Sequence, residues 1–109
     1  MLIFTQQANK DLASILAGLV SFRIGDAIEP ALTLEHAARI FDDIADHFNT
    51  IPQLRYHRQN TFANLERYGK YVYSYRRNQT NWYAFYDKQG EDYVVNRITN
   101  NWNILLPAL

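Results

Sequence analysis

A chain of 109 residues is enough for one domain and hardly for two, and a domain of that size buries roughly two-thirds of the surface its unfolded chain exposes. The absence of cysteine excludes disulfides and thiolate metal sites, and an aromatic content of 15 % argues against a disordered chain. The net charge is zero but unevenly spread: residues 1–50 hold three basic and seven acidic groups, and residues 51–109 hold eight basic and four acidic groups. That asymmetry fits a basic working surface for nucleic acid or an acidic protein, and it equally fits two oppositely charged layers attracting each other within the fold.

Leu2-Ile3-Phe4 predicts a short strand, and Thr5 stands where it can cap a helix. Apolar residues at Ala8, Leu12, Ile15, Leu16, Leu19 and Val20 recur at helical spacing, and Gly25-Asp26 ends the pattern. A second helix carries Leu34, Ala37, Ala38, Phe41, Ile44, Ala45 and Phe48 on one face. Glu35, Arg39, Asp42, Asp43 and Asp46 lie opposite. Pro30 marks the turn into this helix, Thr33 is its expected N-cap, and Pro52 closes it. Residues 53–69 are open between one or two further helical turns and the entry to a strand, with Gly69 as the break.

Three strands follow, read at Tyr71–Arg77, Trp82–Asp87 and Asp92–Thr99. Arg77–Asn81 and Lys88–Glu91 are hairpin-sized links, so the three form an antiparallel meander. Period-two alternation sets Tyr71, Tyr73 and Tyr75 on one face, with Val72, Ser74 and Arg76 on the other. Trp82, Ala84 and Tyr86 likewise oppose Tyr83 and Phe85, and this middle strand is apolar on both sides, which predicts a central position. The order strand, two helices, three strands indicates an α+β domain spanning residues 1–109, one small sheet with helices packed on one face. The N-terminal strand is expected along a sheet edge. No secretory signal and no membrane-length apolar run are visible, so a cytoplasmic chain without membrane contact is the expectation. Asn78-Gln79-Thr80 matches a glycosylation pattern and reads as a turn.

The chain resembles the RelE/ParE superfamily of bacterial toxin–antitoxin toxins, which includes plasmid stabilisation proteins. The resemblance covers nearly the whole chain. It rests on Phe4–Leu12 at the start, on Pro30 with Leu34–Ile40, on Ile51-Pro52, and most of all on Trp82–Tyr86 with Val94–Ile98. It implies a growth-inhibiting toxin neutralised by a protein antitoxin, with no cofactor. ParE-like members inhibit DNA gyrase by binding, whereas RelE-like members cut messenger RNA on the ribosome. A non-toxic interaction module is the third reading, because fold does not choose function.

Cleavage of the RelE kind needs a proton-transfer group and cations around the phosphate. The resemblance implies Arg76, Arg77, Arg97 and His57 as the catalytic candidates, and Arg55, Arg58, Lys70 and Tyr86 as contacts to RNA or to the target. Two positions depart from the pattern. Asn100 stands where many members have histidine, and Asp87 follows Tyr86 where many have arginine. His57 is the candidate to replace the missing acid or base, against the plainer reading of an exposed loop histidine. His36 and His47 read as surface residues, and no His, Asp or Glu spacing makes a metal site. The apolar tail Trp102–Leu109 is expected to dock on its own domain or to meet a partner.

Overall fold

Thr5 acts on both sides of the first chain reversal. Its hydroxyl accepts the Ala8 N–H at 3.1 Å and so caps the first helix. The same hydroxyl donates to the Asn96 carbonyl at 3.3 Å and ties the cap to the last strand. The computed structural model describes residues 1–26, 30–77 and 80–101, with the side chains of 18–34 outside that description. Strand β1 (Leu2–Phe4) leads into helix α1 (Gln6–Asp26), and helix α2 (Pro30–Phe48) follows. Two single 3-10 turns, Ile51–Gln53 and Glu66–Tyr68, precede strands β2 (Tyr71–Arg77), β3 (Thr80–Gln89) and β4 (Asp92–Asn100). The expected α+β layout is therefore the one observed. No helix among the described residues is long and apolar enough to cross a membrane.

The sheet has the order β1-β4-β3-β2, with β1 parallel to β4 and the other pairs antiparallel. β1 is thus an edge strand and β3 is central, as expected. Several boundaries differ from the sequence reading: β3 begins at Thr80 rather than Trp82, and β4 ends at Asn100 rather than Thr99. Helix α2 begins at Pro30, so Thr33 lies inside it rather than at its cap; proline at a first helical position loses no helical hydrogen bond. β3 extends through Gln89, because Lys88 and Gln89 pair with Tyr93 and Asp92. The second hairpin shrinks to Gly90-Glu91, and Gly90 has φ 64, the left-handed conformation that a tight hairpin turn requires at its first central position. Asn78 and Gln79 of the first link lie outside the described residues, as does the tail from Trp102 onward.

One face of the sheet packs against the helices. Tyr71, Tyr73, Tyr75, Trp82, Ala84 and Tyr86 meet Ala8, Ile40, Ile44, Phe48 and Ile51 there. The helix α2 stripe is centred on Ala37, Ile40, Ile44 and Phe48, while Ala38, expected in the stripe, is exposed. Val95 and Ile98 both face this core although they are three residues apart. A bulge between Phe85 and Tyr86 allows this by letting Tyr86 pair with Val95 and leaving Asn96 as the extra residue. The opposite face is covered by the segment before β2: Leu65, Val72 and Phe85 are buried together, with Phe62, Tyr68 and Tyr83 around them. Asn60 shapes that segment by donating to the Leu65 and Gly69 carbonyls at 3.0 and 2.9 Å. The ambiguous stretch before β2 thus takes one of its expected forms, a single helical turn at Glu66–Tyr68 that ends at Gly69, and Gln59 adds one antiparallel bridge to Tyr71.

β4 is paired by β1 only along its first half. Beyond Val95 its edge is met by Asp11 of helix α1, whose carboxylate accepts the Ile98 N–H at 2.9 Å. Gln7 donates to the other carboxylate oxygen at 3.0 Å, and Arg97 Nε lies 3.1 Å from Oδ2 in an ion pair that is not aligned as a hydrogen bond. Asp11 is 8 % exposed, so these partners stand in for water. Replacing it by alanine leaves a strand N–H and a guanidinium without their partner. Asp11→Ala should cost about 3 kcal/mol in urea denaturation, whereas Glu35→Ala, which breaks only the exposed pair with Arg39, should change stability by less than about 1 kcal/mol.

Gly69 packs directly against the β3 backbone at Tyr86. A Cβ there would lie 2.6 Å from the Tyr86 carbonyl oxygen and 2.7 Å from its nitrogen, and strand backbone cannot move aside as a side-chain tip can. Gly69→Ala should therefore destabilise the chain by about 1–3 kcal/mol, read as a lower thermal midpoint.

Candidate functional site

The structure divides the eight sequence-derived candidates among three places. Arg55, His57, Arg58, Lys70 and Tyr86 gather at one end of the sheet, where β2 begins, β3 ends and β4 begins. Arg76 and Arg77 lie at the opposite end of β2, six residues beyond Tyr71 and therefore roughly 20 Å away. Arg97 lies between them on β4, paired with Phe85.

At the first end the chain from Leu54 to Gln59 runs past the sheet and then along the β2 edge. The Val72 N–H donates to the Arg58 carbonyl at 2.9 Å, and the Asn60 N–H to the Lys70 carbonyl at 2.7 Å. This pairing turns the His57 ring inward. His57 Nδ1 lies 2.7 Å from the Tyr86 hydroxyl. The imidazole stacks on Tyr93 with ring centres 5.0 Å apart and planes inclined by 22°, and Tyr71 and Tyr86 stand at 5.9 and 5.8 Å. His57 is thus half-buried among three tyrosines, not an exposed loop histidine. Tyr86 is fully buried, so it is a core residue and offers no surface to a partner. Burial pushes its hydroxyl pKa well above the usual tyrosine value, with Tyr93 and Tyr71 adding to the effect. Around this core, Arg55, Arg58, Lys70 and Lys88 are exposed, and Lys88 Nζ lies over the Tyr93 ring at 5.7 Å. Tyr56, between Arg55 and His57, is 76 % exposed.

The other end holds a cluster that sequence reasoning missed. Asp43 of helix α2 accepts the Tyr75 hydroxyl and the Arg77 guanidinium, the latter at 2.9 Å. His47, one helical turn on, donates Nδ1–H to the Asp43 carbonyl at 2.8 Å and stacks on Tyr75 at 3.7 Å and 12°. The Tyr75 hydrogen bond foremost, helped by Arg77 and His47, holds the Asp43 carboxyl below its usual range, and the same bond to Asp43 raises Tyr75. Arg77 is therefore bound by a carboxylate and is not a free phosphate contact. The signal in the sequence was the Asp43–His47 spacing of four on the rim of the apolar stripe, but its partners are 32 and 34 residues away.

Three further positions resolve as structural. Arg97 pairs with Asp11 and sits over the Tyr68 ring at 5.5 Å. Asp87 accepts the Lys70 N–H at 2.9 Å and the Asn96 amide at 3.0 Å, so its carboxylate closes the entry to β2. Asn100 pairs with Trp82 at the Arg77 end, whereas Tyr93, against which His57 stacks, pairs with Lys88 at the other. Seven residues of strand separate Tyr93 from Asn100, roughly 20 Å, so His57 does not stand in for a histidine at position 100.

No group of three or more His, Cys, Asp or Glu side chains placed to hold a metal ion is found among the described residues. Comparison with known families, with curated proteins and with solved structures finds no match to this chain.

The Asp43 cluster makes the stability of the fold depend on pH in the acid range. A carboxyl whose folded pKa is depressed contributes stability that is present above its unfolded value, near 3.8, and is lost as pH falls through the lower folded value. Wild type should exceed Asp43→Asn in urea-unfolding free energy at pH 6, and the gap should close as pH is lowered from about 4 to 2. A gap that stays constant over that range would contradict the assignment.

Proposed function

We propose that this chain is a toxin of the RelE/ParE kind that acts by binding a macromolecular target, with DNA gyrase as the target class suggested by the ParE-like branch. A protein antitoxin neutralises it. The observation that carries the reading is that Arg55, Tyr56 and Arg58, which flank the half-buried His57, are exposed together with Lys70 and Lys88 at the entry to β2 and the end of β3. Arg77 and Arg97, by contrast, are held by Asp43 and Asp11. Long cations around an exposed aromatic suit recognition, since charge steers encounter and a ring supplies contact area at low entropic cost. The resemblance in Trp82–Tyr86 and Val94–Ile98 supports the same reading.

The second reading, ribosome-dependent cleavage of messenger RNA, is favoured by one observation. His47, Tyr75, Arg77 and Asp43 bring an imidazole and a guanidinium together at the Asn100 end. Against it, Asp43 offsets the charge that a phosphate would need.

Expression of the chain alone in a bacterial host should arrest growth. The triple substitution Arg55→Glu, Arg58→Glu and Lys88→Glu should abolish arrest and leave the circular dichroism spectrum unchanged. Normal growth at verified soluble expression of the wild type would sink the toxin reading. Primer extension on translated message separates the two branches: arrest without new cleavage ends supports binding, and new ends lost in His47→Ala support cleavage.

A further inference from the structure

The hydroxyl of Tyr86 sets the chemistry of His57. Tyr86 is fully buried, and its hydrogen-bond partner among the described residues is His57 Nδ1 at 2.7 Å. A buried hydroxyl proton without an acceptor costs about 1–3 kcal/mol. If Nδ1 carried a proton, it would donate to the Tyr86 oxygen and leave the Tyr86 proton facing apolar ring. If Nδ1 is bare, Tyr86 donates to it and both groups are satisfied. A neutral imidazole carries one proton, so a bare Nδ1 puts that proton on Nε2. The upward shift of the Tyr86 pKa keeps the phenol a donor across the neutral range. Stacking on Tyr93 then holds the ring plane, and the hydrogen bond to Tyr86 removes the two-fold ambiguity of a free imidazole.

We propose that Tyr86 is a positioning residue that locks His57 as a neutral Nε2–H donor, so that His57 recognises an anionic oxygen at the basic end and does not transfer a proton. The inference rests on the reading of that end as the working surface. It deepens that reading by naming the recognised group. An imidazole already bearing its proton on Nε2 cannot accept one there, and Nδ1 is taken by Tyr86; a donor role is what the geometry leaves. Lys88, whose ammonium lies over the same Tyr93 ring on which His57 stacks, and the exposed sequence neighbours Arg55 and Arg58 supply the positive field that makes an anionic oxygen the fitting acceptor.

The lock is tested on the whole chain by long-range nitrogen–proton NMR of His57 at pH 7.5. The expected pattern is a bare Nδ1 and a protonated Nε2 in wild type, with a mixture of both tautomers in Tyr86→Phe. A protonated Nδ1 in wild type overturns the proposal. The donor role is tested by titrating inorganic phosphate. Phosphate should move the His57 Nε2 resonance saturably in wild type. The double variant His57→Gln with Tyr86→Phe keeps an N–H donor at the Nε2 position without an orphaned hydroxyl, and should bind phosphate within about threefold of wild type. His57→Phe should lose about tenfold or more, equivalent to about 1.4 kcal/mol. Equal binding by His57→Phe, or no shift at Nε2, overturns the donor role. Absence of growth arrest would remove the toxin reading and leave both of these results standing, so the two failures are distinguishable.

Discussion

The fold turns on one carboxylate. β1 is only three residues long, and a three-residue strand leaves the second half of β4 without a neighbour. Asp11 takes over where β1 stops, accepting the Ile98 N–H from helix α1 and binding Arg97 at the same time. That contact lets the chain leave the sheet early, through the Thr5 cap, without abandoning the β4 edge. Helix α1 is thereby fixed across β4, and helix α2, packed on α1, is carried over β3 and β2. An edge covered by a helix is also closed to pairing with other chains.

From that placement the distribution of tyrosines follows. Tyr71, Tyr73, Tyr75 and Tyr86 pack on the helix side, and the segment from Phe62 to Tyr68 covers much of the opposite face. A sheet that reads as an aromatic platform therefore shows little of its platform to solvent. The available chemistry moves to the ends of the strands, where side chains leave the core and cations gather. Of the two ends, the one near Arg77 is internally neutralised by Asp43, and the one near His57 keeps its positive charges exposed.

Much of this architecture was legible in the sequence, because alternation, stripe and cap are local signals. The three strands, their order, the central position of β3, the edge position of β1 and the Thr5 cap all rest on residues within a few positions of one another. The candidate site was less legible, for the opposite reason. Asp43 meets Tyr75 across 32 residues, His57 meets Tyr86 across 29, and Asp11 meets Ile98 across 87. No periodicity encodes such partners. Asp43 looked like one more solvated acid on a polar helix face, and Asp87 looked like an intrusion into a cationic site. Both are hydrogen-bond acceptors whose donors arrive from elsewhere in the chain. The bulge that brings Val95 and Ile98 to one face was equally hidden, since strict alternation would have sent them to opposite sides.

The pairing of Leu2–Phe4 with Tyr93–Val95 also bears on when the fold can form. The hairpins of β2, β3 and β4 join neighbours and close quickly, whereas β1 joins the two ends of the described chain and needs the longest loop to close first. During synthesis the opening strand and the cap at Thr5 emerge long before β4 exists. Until residues 93–98 leave the ribosome, neither β1 nor Asp11 has its partner, and helix α1 has no strand to lie across. The molecule is thus completed from its last strand backwards, and a nascent chain stopped short of β4 holds no finished sheet and no Tyr93 against which His57 can settle.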